Sequence, residues 1–498
     1  MAIDKVTAGV LADDAVTTAK IVNDAVTAAK IPAGAVVADV GTGGIATANL
    51  ADDAVTQPKI GADAVTATEL ADNAVVNASV ASGAAIALTK LATTTASRVL
   101  ETSGTGTIQA SAVTATEIAK LDGVTATTAE LNLVDGSVSG ALSHRNMIIN
   151  GAMEIWQRGT SFPGTGSTRY NQDRFQVALQ SLGSYTFSRQ AAYGIESEGF
   201  GYSLKIDCTT SKASPAATDF FFLNHRIEGQ NLQCMRKGTA SAKAVTLSFW
   251  CRCTKTGNIQ VNLVDEDNTR IIAQAVSIDA VNTWQYKTLT FAGDTTGAFG
   301  NDRNESLRIE WWLDRGGNFA GGAVPTSWEA LSNADRAAGC TLDFARSTDN
   351  NFYITGVQLE VGSTATPFEH RGYSEELTRC QRYCIAMCNG ATSSQSTTQL
   401  FVGQMYSDTF TQAPIQLPTA MRATPSVLSS GNSTFRVYSG SGSDLCGPIT
   451  IDGPGQDPDA VTVALSVSNL SISGAANRAC ILRSENSSAF CILEAELV

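Results

Sequence analysis

VTLSFWCRC (245–253) sets Leu247, Phe249 and Cys251 on one side of an alternating chain and Ser248, Trp250 and Arg252 on the other. That is the period-two pattern of a strand with one face against a core. Runs of the same kind surround it: GYSLKI (201–206), NIQVNLV (258–264), TWQYKTLTF (283–291), SLRIEWWL (306–313) and NFYITGVQLEV (351–361). Gly, Asn and Asp turns separate them, and no long helical pattern intervenes. About eight such strands predict an all-β fold, a jelly roll or a similar β-sandwich.

Upstream the composition changes. All 18 Phe, 10 Tyr and 6 Trp lie beyond position 155, and so do all 11 Cys. The first 145 residues are mainly Ala, Val, Thr, Asp, Gly and Ile, too small to build an ordinary single-chain core. They repeat instead. Asp14-Ala15-Val16, Asp24-Ala25-Val26 and Gly34-Ala35-Val36 keep a ten-residue step, as do Asp53-Ala54-Val55, Asp63-Ala64-Val65 and Asn73-Ala74-Val75, within a consensus like LADDAVTTAKI. A second unit, VTATEIAKLDG (113–123), recurs as VTATTAELNLVDG (124–136). Units this small bury their apolar face only by stacking on neighbouring units and on identical chains, so a homotrimeric shaft is expected. The expected organisation is a shaft and attachment region at 1–144, a jelly-roll sandwich at 145–371, a connecting helix at 372–389 and a smaller distal β-sandwich tip at 390–498, where receptor binding is expected.

The net charge of −13 and a pI near 4.8, with no block of Lys or Arg, exclude a phosphate-tracking surface and hence nucleic acid as a partner. No run approaches the roughly 18 apolar residues of a membrane helix, and the N-terminus shows no signal-peptide pattern, so assembly in the cytoplasm without membrane insertion is expected. Cys251 with Cys253, and Cys380, Cys384 and Cys388, invite a metal reading. Neither group has the paired spacing of a zinc site, and the triple falls on one helical stripe, so core packing is the expectation.

Two longer motifs carry a family resemblance. NMIINGAMEIWQRG (146–159), followed by YNQDRF (170–175), resembles the opening of a sandwich domain found in phage tail-fibre and other virion proteins. ITGVQLEVGSTATPFEHR (354–371), running into ELTRCQRYC (376–384), resembles its close. The repeats are similar to the shaft units of tail fibres of marine and cyanobacterial phages. PTAMRATPSV (418–427) and AFCILEAELV (489–498) resemble parts of fibre-tip domains. The sandwich framework is also similar to galactose-binding-like carbohydrate modules, in which a structural calcium often joins the first and last strands. That resemblance implies Glu154 and Glu360 as calcium ligands and no other cofactor. It implies a virion fibre made of homotrimers, held by tail or adaptor proteins and meeting a host-surface glycan or protein. A capsid-attached head fibre or decoration protein remains an alternative of the same class.

Alternation suggests which rings meet a sugar. Trp250 stands with Arg252 on the face away from Leu247, and Trp312 with Arg308 and Glu310 on the face away from Trp311. A flat ring beside charged hydrogen-bonding groups suits a sugar. The competing reading packs both rings under a loop or against a neighbouring protomer. In the distal segment Tyr406, Phe435, Arg436 and Tyr438 are receptor candidates, with core filling the alternative for Tyr406 and Phe435. A glycan depolymerase would need two carboxylates about 5–9.5 Å apart across a sugar bond. Asp265-Glu266-Asp267 reads as a hairpin turn, and the three histidines (His144, His225, His370) sit in no catalytic arrangement, so no enzyme activity is expected. Light scattering after size exclusion should give about three times 52.0 kDa for an elongated particle, and a compact monomer would contradict the shaft.

Overall fold

The computed structural model describes residues 144–389, 398–430, 434–452, 461–485 and 488–497, with shorter stretches of the first 124, chiefly 54–61, 98–102 and 108–120. It divides into two compact units, Met1–Val124 and Thr125–Val498.

In the first unit the sequence repeat is also a backbone repeat. Ala25, Ala54 and Ala64, each the middle of a triplet, donate their N–H to the carbonyl three residues earlier, at Val22, Ala51 and Gly61 (3.0, 3.0 and 3.1 Å). A hairpin pairs Arg98–Thr102 with Ile108–Thr114. Thr114 then caps the short helix Ala115–Ala119: its Oγ1 accepts the Glu117 N–H (3.1 Å), and Glu117 accepts the Thr114 N–H (2.7 Å). This reciprocal cap satisfies donors that would otherwise be orphaned at the helix start. Most of the expected shaft, and its packing as a trimer, lies outside the described residues.

The second unit is the β-sandwich that the alternation implies. One sheet orders Gln285–Phe291, Val245–Cys253, Asn351–Val361, Tyr202–Thr210, Ser184–Ala191 and Ser161–Thr165, all antiparallel. The facing sheet orders Glu329–Ala330, Arg270–Ile278, Gly257–Asp265, Glu305–Arg315, Phe220–Glu228, Phe175–Gln180 and Arg169–Gln172. Leu247, Phe249 and Cys251 from the first meet Ile259, Val261, Leu307 and Trp311 from the second in one apolar core. Phe249 and Trp311 touch edge to face across it at 6.0 Å.

The opening and closing motifs meet here. Asn150 takes a left-handed backbone (φ 63°) and holds the turn by its side chain, donating to the Ile155 and Asp173 carbonyls (2.9 and 3.0 Å). Gly151 lies so close to the last strand that a Cβ there would come within 2.1 Å of the Val357 carbonyl oxygen. Arg371 donates to the Ile148 carbonyl (3.0 Å), and Glu369 accepts the Asn146 N–H (2.8 Å).

Beyond it lies the smaller β domain, a three-stranded sheet (Cys384–Asn389, Phe490–Glu494, Ser426–Ser429) and a seven-stranded one around Phe401, Met405, Phe435, Leu465 and Leu482. The expected 372–389 helix is shorter. It runs only over Tyr373–Gln381, and Cys384–Asn389 is a strand paired to Phe490–Glu494. Of the presumed stripe only Cys380 is helical; burial of Ile385 and Cys388 in the small core draws that segment into the sheet. All eleven cysteines are free, and all but Cys234 are buried. Burial pushes the Cys251 thiol up to about 12 and the Cys253 thiol to about 11, as befits apolar filling. Among the described residues no helix is long and apolar enough to cross a membrane.

A buried ionic seam joins the two β domains. Glu496 accepts from Arg158 (3.0 Å) and from Arg174, and Arg158 also binds Glu494 (2.7 Å). The Arg174 guanidinium lies 3.5 Å from the Tyr383 ring centre. Tyr383 donates to Glu228, which Arg382 grips with two bonds (2.9 and 2.8 Å). Arg422 holds the segment after the final strand by the Ala495 and Glu496 carbonyls (2.8 and 2.9 Å). Removing one partner from such a seam leaves buried charge uncompensated. Glu496→Ala should therefore lower the unfolding free energy by about 3–5 kcal/mol in urea titrations followed by tryptophan fluorescence; an unchanged midpoint would contradict the seam.

Candidate functional site

The six-stranded sheet leaves part of its outer face open. Trp250 stands there beside two neighbours set by the register: Tyr286 opposite it on one adjoining strand and Thr355 on the other. The Trp250 and Tyr286 rings lie 5.2 Å apart, tilted by 43°. One step along, Arg252 pairs with Tyr353, and its guanidinium lies 4.0 Å from the Tyr353 ring centre and 5.2 Å from that of Trp284. The Trp284 indole N–H donates to the Tyr193 carbonyl (2.9 Å), which ties the ring to the 191–201 loop.

Trp250 and Tyr286 form the floor of a cavity of about 470 Å³. Its walls are the 197–200 loop, with Glu198 and Phe200, and the 365–370 loop, with Phe368 and His370. Phe200 and Phe368 touch edge to face at 5.0 Å, and a His370 ring nitrogen sits 3.2 Å from the Glu198 carbonyl. A bulge interrupts the pairing of Asn351–Val361 with Val245–Cys253 between Thr355 and Gln358. Gly356 sits in it at φ 62°, and a Cβ there would come within 2.6 Å of Phe200. Only glycine suits both the left-handed backbone and the ring packed against it. The result is an aromatic platform with hydroxyl, carboxylate and imidazole groups at its edge, suited to a ligand with one apolar face and many hydroxyls.

The other sequence candidates fare differently. Trp312 is wholly buried, stacked on Phe222 (4.6 Å) and against Phe319 (5.2 Å). The 319–340 segment, with Ala337 and Cys340, covers that face of the seven-stranded sheet, so the expected open platform is a second small core. Glu310 is sealed beneath it, accepting from Trp312 (2.8 Å), Asn262 (3.0 Å), Arg308 (2.9 Å) and Arg336. Burial alone would raise its carboxyl, but Arg336 and Arg308 outweigh it and hold the group down at about 2. Arg308, Glu310 and Trp312 thus hold the fold and do not meet a ligand. Phe435 fills the small core at 1% exposure, contrary to its role as a receptor candidate, because strand alternation turns it inward with Val437. Tyr406 is exposed and near Phe410 (6.0 Å). Arg436 pairs with Glu485 (3.4 Å), and Tyr438 donates to the same carboxylate (2.7 Å).

Glu154 and Glu360 keep different partners. Glu360 accepts from the Thr366 N–H and hydroxyl (2.8 and 2.7 Å) and from Gln358 (2.9 Å). Glu154 lines a separate small recess with His370 and Glu376. There burial pushes its carboxyl up, His370 draws it down and Glu376 raises it again. Among the described residues no group of three or more His, Cys, Asp or Glu is placed to hold a metal ion. The Asp265 cluster closes the expected hairpin, with Asp265 opposite Arg270 and accepting the Asn268 N–H (3.0 Å).

Of the face, the sequence reading found Trp250 and Arg252 and missed Trp284, Tyr286 and Tyr353. The signal was present: Trp284 and Tyr286 share a parity in TWQYKTLTF, opposite to that of core Leu289 and Phe291.

No family model matches the chain, and no curated protein matches it. Solved structures do. A family 11 carbohydrate-binding module of a Clostridium thermocellum cellulase is 9% identical, covering 46% of this chain and 100% of its own, with a TM-score of 0.21. A sugar-binding protein described from Bacteroides thetaiotaomicron is 10% identical over 44% of this chain and 100% of its own, TM-score 0.25. The enzymatically active domain of bacteriophage CBA120 tailspike protein 4 is 13% identical over 44% of this chain and 21% of its own, TM-score 0.21. Scores this low carry no functional weight by themselves.

Stability should record the Glu310 cage. Its carboxyl is held below the ordinary 4.5, so its contribution is complete above pH 4.5 and is lost as pH falls toward 2. The loss amounts to about 3 kcal/mol. Denaturant titrations at pH 6, 4 and 2.5 should show this decline, and Glu310→Gln should flatten it; a variant with the wild-type pH slope would contradict the cage.

Proposed function

We propose that this chain is a non-enzymatic fibre protein of a phage virion, assembled as a homotrimer, whose middle β-sandwich holds a host-surface glycan on the outer face of the six-stranded sheet. The observation that carries the reading is the Trp250–Tyr286 floor of the 470 Å³ cavity, continued by Trp284 and Tyr353. A sugar ring stacks its C–H face on such rings, and Glu198 at the edge supplies a partner for hydroxyls.

The trimer is supported by what the repeats leave uncovered. Ile21, Val22, Val55 and Ile60 are exposed in the single chain, Val22 by 74%, and the capped helix buries none of its residues. Apolar side chains at regular intervals on a thin shaft need identical partners to cover them. Three copies about one axis then raise the avidity of a modest single-site affinity, as adsorption of a particle requires. The phage assignment itself rests on the resemblance of the repeats and of the two sandwich-end motifs.

Titration calorimetry against oligosaccharides from bacterial surface polysaccharides should show binding that Trp250→Ala and Tyr286→Ala each weaken at least tenfold, while Tyr406→Ala leaves it unchanged. The same mixtures should release no new reducing ends. Equal binding by the Trp250→Ala variant, or saccharide cleavage abolished by a single Asp or Glu substitution, would overturn the reading.

A further inference from the structure

Two arginines of the six-stranded sheet lie over aromatic rings with no ion pair to a carboxylate among the described residues: Arg189 over Tyr202 (4.4 Å), and Arg252 on the face that carries Trp250. On the covered sheet Arg226 and Arg308 each grip a carboxylate, as does Arg336 from the segment laid over it. Arg252 lies flat over Tyr353 and Trp284, and its buried Nε has no hydrogen-bond partner. No ion pair joins it to a carboxylate among the described residues. The two rings fix the plane of the guanidinium. Across Tyr353 the next cation on the face is Lys205, which lies 3.6 Å from Asp207 and is neutralised by it.

We propose that the glycan taken by this face is acidic, with a carboxylate on the sugar next to the one stacked on Trp250, received by Arg252. The inference rests on the glycan reading above. The two terminal amino groups of a planar guanidinium match a carboxylate bidentately, whereas a neutral hydroxyl engages only one of them. The chain's overall charge of −13 does not oppose this at short range, because charges farther than about 10 Å are screened at ordinary ionic strength.

The test is calorimetry of the full chain with oligogalacturonate and oligomannuronate, each beside its carboxyl-reduced, neutral counterpart. The uronates should bind at least tenfold tighter than the reduced forms, and raising salt from 0.05 to 0.5 M should narrow the gap. Arg252→Gln should abolish the gap while keeping the weaker neutral binding; Arg252→Lys, which keeps the charge but not the fork, should restore only part of it. Near-ultraviolet circular dichroism checks that the variants keep the fold. If the reduced forms bind as tightly as the uronates and Trp250→Ala still abolishes binding, the acidic ligand is refuted and the glycan face stands. If the wild type binds neither form, both fall.

Discussion

The outer face depends on the register in which Val245–Cys253 lies between Gln285–Phe291 and Asn351–Val361. Side chains alternate across a sheet, so a slip of one residue would drive Trp250 and Arg252 inward and expose Leu247, Phe249 and Cys251. The core forbids that slip, since those three side chains are wholly buried among the apolar residues of the facing sheet. The same constraint that buries Phe249 therefore presents Trp250, and it aligns Tyr286 and Tyr353 with it. Function and stability here share one strand, on opposite faces.

Why one sheet is open and the other closed follows from the connections. The segment after Glu305–Arg315 folds back over its own sheet, seating Phe319, Ala337 and Cys340 on Trp312 and Phe222. Its polar edge is closed by Arg336 on Glu310 and by Arg346 on Asp314 (3.1 Å). On the six-stranded sheet the loops at 191–201 and 365–370 stand at one end as walls, the bulge at Gly356 lets Phe200 enter, and Trp250 and Trp284 pack half-buried against Ala192, Ile195 and Phe200. Loops positioned by a rigid scaffold in this way are where binding sites commonly arise. The ionic seam at Glu496 adds a second consequence: the distal domain closes on the sandwich through the segment after its last strand, so the two should unfold together.

Much of this was legible in sequence. Strand positions followed from alternation, and NFYITGVQLEV coincides with the observed Asn351–Val361. Alternation assigns a side chain to a face but does not say whether a distant segment covers that face, which is why Trp250 and Trp312 looked equivalent. Phe435 was ambiguous for a different reason, standing in a strand of five residues, too short for sequence alone to say which parity faces the core. The helical spacing of Cys380, Cys384 and Cys388 misled because an i, i+4 step beyond the helix end fits a strand as well, and pairing with Phe490–Glu494 won. The seam was invisible, since its partners lie more than 300 residues apart: Arg158 and Arg174 meet Glu496 only once both domains exist. Arg252 was seen, but that it lacks an acceptor emerges only when every neighbouring carboxylate is accounted for.

The most direct test of the account is a crystal structure of the full chain with a bound oligosaccharide. It should show a sugar ring stacked on Trp250 and Tyr286 between the 197–200 and 365–370 loops. A saccharide seated instead on the distal domain, with the Trp250 cavity empty, would contradict it.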